Sequence, residues 1–532
     1  MTLKKLSGSF RSSLIGCVSL LWLMSCSGGK DSEAISAEQN KIRYDYSQPH
    51  RPQFHFSPPE QWMNDPNGMV YYQGEYHLFY QYYPDSTVWG PMHWGHAISE
   101  DLVHWEHYPI ALYPDSLGYI FSGSAVVDWN NTSGFGTEAN PPLVAIYTYH
   151  DPNREGQNNF QYQGIAYSID KGRSWTKYEQ NPVLAEESSV DFRDPKVFWH
   201  LQSEKWVMTL AEGNQVGFYG SQDLKHWESL SKFGIDQGSH LGVWECPDLF
   251  QIKDQSGIPK WVLLVSIGPG GSRGSDTQYF IGQFSGSRFI NDYEPDQVFW
   301  MDHGWDNYAG VTWSDVPQAD GRRIFMGWMS NWLYATRVPT VKWRSAMTLP
   351  RELAIYPTRT GHRLASRPIQ EMQLLYDKSI AINRTVVAGT TDWTDKLMGD
   401  STLLNFEFQV TDISRKGRSW KLIFGNTSDE SLVLGYDDVS DQYFIDRRNA
   451  GAHEFHEEFA GVHYAPRISE VAQMPVSIWL DRSSVELFGD NGTVVMTDLF
   501  FPTEAWTSLR FESGTEAVLV EGSVYALESV WD

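Results

Sequence analysis

Cysteine is scarce: the 532 residues hold three, Cys17, Cys26 and Cys246. Basic residues are in deficit, 41 Lys and Arg against 66 Asp and Glu, for a formal charge of -25. Nucleic acids and anionic membrane surfaces are gripped through Lys and Arg, so this balance argues against either as the main partner. A neutral polymer is compatible with it. No group of His, Cys and carboxylates has metal-ligand spacing and no phosphate-cradling loop occurs, so no metal and no other cofactor is expected. The one long apolar run, Leu14 to Met24, is too short for a permanent transmembrane helix. Amphipathic helical runs are few. Aromatics are plentiful instead, with 23 Trp and 27 Tyr, which suits a sheet-rich protein whose loops stack on flat substrates. The length exceeds one ordinary hydrophobic core, and two domains are expected.

The N-terminal 25 residues read as a processing segment. Lys4, Lys5 and Arg11 precede the apolar run, which ends in LMSC (Leu23 to Cys26). That pattern resembles a bacterial lipoprotein signal, with Cys26 as the lipidated first residue after cleavage. The following SGGKDSE (Ser27 to Glu33) resembles the export signal of surface lipoproteins. The expectation is a monomer anchored by lipid in the bacterial cell envelope, at the outer membrane, with residues 26–50 as a tether. The mature chain then keeps Cys246 alone and has no internal disulfide. With no His paired to it in sequence, Cys246 reads as a small buried residue rather than a nucleophile.

From residue 51 to 353, short aromatic and β-branched runs alternate with Gly, Pro, Asn and Asp turns. MVYYQGEYHLFY (Met69 to Tyr80) reads as a hairpin turning at Gln73 and Gly74. SEDLVHW (Ser99 to Trp105), SIDKGRSW (Ser168 to Trp175) and SQDLKHW (Ser221 to Trp227) form a weak repeat: a Ser, an Asp two positions on, and a closing Trp. Repeats of this length with several strands each indicate a β-propeller. Asp65, Ser122, Asp194, Glu245 and Tyr308 lie 57, 72, 51 and 63 residues apart in turn, each just ahead of an apolar run. If each run is the innermost strand of a blade, the five meet at one end of a central channel, giving five blades. Residues 354–377 read as a linker, partly helical at PIQEMQLL (Pro368 to Leu375). Residues 378–532 read as a second all-β module, a β-sandwich. The expected class is all-β.

Three acidic motifs carry the chemistry: WMNDPNG (Trp62 to Gly68), FRDP (Phe192 to Pro195) and WECP (Trp244 to Pro247). Their carboxylates, Asp65, Asp194 and Glu245, sit among Trp, Tyr, Asn and Gln, side chains that grip sugars. Such a group is what glycosidic bond cleavage needs: about 5–5.5 Å between nucleophile and acid in retaining enzymes, ~6.5–9.5 Å in inverting ones. The residues alone leave the roles open. A residue before proline is biased to extended geometry, which places Asp65 and Asp194 at the starts of strands. Asp194 beside Arg193 should stay ionised. An acid that must hold its proton needs burial or neighbouring carboxylates, and the setting of Glu245 between Trp244 and Cys246 suits that.

These three motifs, in this order, resemble glycoside hydrolase family 32, the invertases, inulinases and levanases. HWGHA from His93, FSGS from Phe121, DNYAG from Asp306, WMSNW from Trp328 and WRSAMTLPREL from Trp343 extend the resemblance, as do SVELF from Ser484 and FFP from Phe500. It implies a retaining β-fructofuranosidase acting on levan, inulin or sucrose. Asp65 is then the nucleophile that forms a covalent fructosyl intermediate, Glu245 the acid/base and Asp194 the transition-state stabiliser. It further implies that Trp62, Asn64, Gln81, Trp89, Phe121, Ser122 and Arg193 line the fructosyl pocket. His96 reads as packing or supporting hydrogen bonding, and Trp328 and Trp332 as pocket flanks or blade packing. Exo action is expected; endo action at a cell surface and fructosyl transfer remain alternatives. SIDKGRSW also resembles the Asp-box turn of sialidases, but those use a Tyr nucleophile and an arginine cluster for an anionic sugar. A glycan-binding lipoprotein without catalysis would be expected to lack one of the three acids, and all are present.

Overall fold

The computed structural model describes residues 44–153, 160–186, 191–271, 273–399, 401–412 and 419–531. The expected signal segment, Cys26 and most of the expected tether lie outside these residues. Tyr46 to Asp532 forms one compact unit.

Five antiparallel sheets make a propeller. Their innermost strands are Gln61–Tyr72, Tyr119–Val127, Phe192–His200, Trp244–Lys253 and Tyr308–Thr312. Each packs on the next, and the fifth returns to the first, so the ring closes. Closure also uses Trp343–Arg344, which pairs in parallel with Gln61 and Trp62 of blade 1. The hairpin at Gln73 and Gly74 is present, both residues having positive φ as a tight two-residue turn requires.

The weak repeat has a structural cause. In blade 1, Ser99 Oγ accepts from the Leu102 amide at 2.7 Å, Asp101 accepts from the Val103 and His104 amides, and Trp105 Nε1 donates to the Leu102 carbonyl. Ser221, Asp223 and Trp227 repeat the pattern in blade 3. In blade 2, Ser168, Asp170 and Trp175 build a longer version around Gly172. The motif is a turn closed by its own side chains between the third and fourth strands of blades 1, 2 and 3.

Three expectations change. The proposed linker over 354–377 is mostly blade: Arg351–Thr358 and Gly361–Pro368 form the outer hairpin of blade 5. Its alternating pattern is short and carries few aromatics, which made it resemble a connector. Only the 3-10 helix Gln370–Leu375 separates it from the first sandwich strand, Tyr376–Val387. The end of the expected tether is also folded: Tyr46 stacks on Trp531 with centroids 4.0 Å apart, and the Arg51 guanidinium covers Tyr46. Finally, Pro66 and Pro195 lie inside strands rather than at their starts.

The sandwich has two six-stranded sheets around a core that includes Trp393, Trp420, Phe424 and Phe511. It is joined to the propeller by buried charge. Arg351, fully buried, donates to Glu486 at 2.6 Å and to Asp302 at 3.1 Å, while His55 bridges Asp481 and Glu486 at 2.8 and 2.9 Å. A second such contact pairs Arg447 with Asp306 at 2.6 Å.

Candidate active site

Every blade contributes to one end of the channel, and the same device delivers each residue. All five innermost strands break register: between Met63 and Pro66, Ile120 and Gly123, Arg193 and Lys196, Glu245 and Asp248, and Tyr308 and Val311. An inserted residue bends a strand and re-aims its side chains. Asp194 takes φ 63°, Cys246 φ 46° and Ala309 φ 53° at these breaks. The extended geometry expected of Asp194 before proline is therefore overridden; a bulge is also a place where a sheet tolerates proline. Non-glycine residues in the left-handed region are sparsely populated and cluster at functional sites.

The bulges gather the three acids. Asp65 accepts from Ser122 Oγ at 2.8 Å and from Asn64 Nδ2 at 3.0 Å. Asp194 accepts from the Cys246 amide at 3.0 Å, and its own amide donates to Thr148 Oγ1 at 3.0 Å. The Cys246 thiol lies 3.6 Å from Asp65 and 3.5 Å from Asp194. Burial, with these carboxylates, pushes that thiol well above its ordinary range, so it stays a neutral S–H donor between two acids. Glu245 takes bonds from Arg193 Nη2 at 2.8 Å and Nε at 3.1 Å, and from the Tyr308 hydroxyl.

Arg193 thus hydrogen-bonds Glu245 and reaches Asp194 only as a longer ion pair, at 4.0 Å. This corrects the expectation for Asp194. Burial raises its carboxyl to about 7; Arg193 opposes the rise, and the charges of Glu245 and Asp65 add to it. Asp65 is raised as well, by burial first and then by Glu245.

A cavity of about 520 Å³ opens over this group, walled by Asn64, Asp65, Gln81, Trp89, Phe121, Ser122, Arg193 and Glu245. Trp332 joins the wall, whereas Trp328 is fully buried beside it as packing. Trp62, expected on the wall, is fully buried: it stacks on Trp332 at 5.8 Å and donates to Asn64 Oδ1 at 2.7 Å, so it positions others. His96 is packed between Phe79 and His77, away from the cavity. The wall also holds His150, Gln161 and Asp191, which the sequence reading missed. His150 stacks flat on Phe121 at 4.3 Å, and Gln161 accepts from Arg193. His150 and Gln161 lie far from the acidic motifs and the folded ring brings them in, whereas Asp191 directly precedes FRDP and bonds its Arg193. Among the described residues of the wall Arg193 is the only arginine, already engaged with acids, so no cluster awaits an anionic sugar.

Residues 55–368 match the Glycosyl hydrolases family 32 N-terminal domain, and residues 371–526 match the family 32 C terminal. The chain belongs to glycosyl hydrolase family 32. It is 47% identical over 505 residues to a levanase of Bacillus subtilis (strain 168), covering 94% of this chain and 73% of that protein. It is 38% identical over 526 residues to an extracellular exo-inulinase of Aspergillus awamori, covering 92% and 96%. The crystal structure of exo-inulinase from Aspergillus awamori superposes with a TM-score of 0.84 at 36% identity, over 92% of this chain and 100% of that one. A β-fructofuranosidase from Schwanniomyces occidentalis, complexed with fructosyl-erythritol, gives 0.81 at 32% identity, over 91% and 99%. This family 32 chain is a glycoside hydrolase with the family's propeller and sandwich.

Proposed function

We propose that the protein is a retaining β-fructofuranosidase that releases fructose from the ends of fructans. The observation that carries this is that Asp65 and Glu245 line one small cavity, with Asp194 buried next to them and linked to Asp65 through the Cys246 thiol. The levanase and exo-inulinase names of its relatives support the substrate class. Asp65 attacks the anomeric carbon of a terminal fructosyl unit; the carbon–oxygen bond to the rest of the polymer breaks as Glu245 passes a proton to the leaving oxygen. Water then displaces Asp65, giving its proton to Glu245 and restoring the free enzyme. Asp194 accepts hydrogen bonds from the fructosyl hydroxyls, and Gln81, whose Nε2 is buried without a partner among the described residues, donates one.

Fructose should be the first and only early product from both levan and inulin, followed by chromatography. A ladder of oligosaccharides at early times would instead assign endo action. Because burial raises Asp65 and the attacking form is ionised, the acidic limb of kcat/KM should lie above the ordinary carboxylate value of about 4. A limb below that value would remove Asp65 from the role.

We further infer that Cys26 carries lipid and holds the catalytic unit at the cell envelope. Cys26→Ala should release the protein from membranes or leave its signal uncleaved, and unchanged fractionation would overturn this.

A further inference from the structure

Glu245 has two supports of different origin. Arg193, from blade 3, bonds Oε1, whereas Oε2 has one donor among the described residues, the Tyr308 hydroxyl. Tyr308 is buried and is not part of the cavity wall, so its contact with the reaction runs through Glu245. It opens the innermost strand of blade 5, where it makes a single rung with Trp328 before the register breaks and Ala309 turns to φ 53°. One rung ahead of a bulge fixes a strand end poorly. The residues before Tyr308 must therefore set where its hydroxyl points.

Those residues, 302–306, are held by the sandwich. They run along Val494–Leu499, the end strand of its sheet, which pairs with Ser484–Gly489 on one side only. The His303 amide donates to the Val495 carbonyl at 2.8 Å, and the Asp306 amide to the Thr497 carbonyl at 3.0 Å. The return bonds go to side chains. Asp302 accepts from the Thr497 amide at 2.9 Å and from its hydroxyl at 2.7 Å, and Asp306 accepts from the Leu499 amide at 2.9 Å. Two carboxylates thus stand in for strand carbonyls, and a propeller segment closes the free sandwich edge. Between them only glycine fits, because a Cβ on Gly304 would overlap the Thr497 amide nitrogen and carbonyl oxygen. Trp305 stacks flat on His463 at 4.6 Å, and its amide donates to Asp498 at 3.0 Å. Arg447, buried behind them, donates to Asp306 at 2.6 Å.

We propose that the sandwich is a positioning element of the active site: through Thr497 and Arg447 it fixes Asp302 and Asp306, and so holds Tyr308 against Glu245. This rests on the reading of Glu245 as the acid/base. Neither Thr497 nor Arg447 lines the cavity, so their effect belongs to proton transfer and not to the grip on the sugar. A carboxyl that faces the leaving oxygen and then the incoming water needs one fixed orientation, and Arg193 grips only one of its oxygens.

The test compares kcat/KM of the full chain on two substrates: sucrose, whose leaving oxygen needs a proton, and a fructosyl fluoride, whose leaving group does not. Tyr308→Phe should lower the sucrose value roughly ten- to a hundredfold, the worth of one hydrogen bond to a charged group, and leave the fluoride value within about twofold. Thr497→Val, which keeps the β-branched shape, should show the same selective loss at roughly three- to tenfold. Thr497→Ser, which keeps the hydroxyl, should restore the sucrose value. In the double variant of Thr497→Val with Tyr308→Phe the losses should not multiply, because both act through one hydroxyl. If Thr497→Val does not fold, Arg447→Lys is read by the same ratio. Equal losses on the two substrates, losses that multiply, or a sandwich variant as active on sucrose as the parent overturns the positioning role. A Glu245→Ala chain that loses equally on sucrose and the fluoride overturns the acid/base reading instead.

Discussion

Glu245→Ala should leave a chain that still transfers a fructosyl group onto Asp65 when the leaving group needs no proton. On natural fructans it should fall by at least ~10²–10⁴-fold, the usual value of general acid–base help. Azide, which needs no base, should then intercept the intermediate and give a fructosyl azide of retained configuration. Asp65→Ala should behave differently. With no nucleophile, neither an activated substrate nor azide restores turnover with retention. The geometry makes the two roles separable: Glu245 is held by Arg193 and Tyr308 from two other blades, whereas Asp65 is held by Ser122 and Asn64. Removing one acid leaves the other's supports in place. Inverted product from the unmodified protein, or full activity in either variant, would show the roles to be wrong.

Arg351→Met should be the most destabilising single change at the contact between propeller and sandwich. Arg351 is fully buried and bonds Glu486, Asp302 and Thr497. Removing one member of a buried ionic group leaves uncompensated charge and typically costs about 3–5 kcal/mol. A lower thermal midpoint and an earlier urea transition should report it; midpoints matching the parent would show that the network contributes nothing.

The same network predicts a pH dependence. His55 is raised from 6.5 to about 9 by its two carboxylates, against the opposing effect of burial. Its contribution is therefore fully present below pH 6.5 and is lost as pH rises through about 9. Glu486 is lowered from 4.5 to about 2, chiefly by Arg351 and His55 working against burial. Its contribution is complete above pH 4.5 and is lost as pH falls through about 2. His55→Asn should flatten the alkaline decline in thermal midpoint, leaving the acid side to Glu486.

Much of the architecture is local and so is legible in the residues. Strand alternation has a period of two, and the turns between strands close through their own Ser, Asp and Trp side chains, so the repeat survives as a pattern. The near-regular spacing from Asp65 to Tyr308 follows from the number of strands in a blade. The three acids, their order and the family likeness follow from motifs only a few residues long. Blade 5 was the exception: residues 351–368 complete their sheet with Arg323–Met329, and their own pattern is too short to announce it.

What the sequence could not specify is whatever depends on ring closure. A pre-proline preference is a weak local bias, and the packing of five innermost strands overrides it at Asp194, whose left-handed backbone turns its carboxyl toward Cys246. Adjacency in sequence put Arg193 beside Asp194, yet side chains of neighbouring residues diverge on a strand, and Arg193 reaches across to blade 4 for Glu245. Trp62 carried the expected aromatic character but faces the core, while His150 and Gln161 arrive at the wall from a segment with no motif, and Asp191 from the residue just ahead of FRDP. Composition and spacing determined which groups are present and how many blades carry them. The closed ring, with a bulge in every innermost strand, decided which of them face one another.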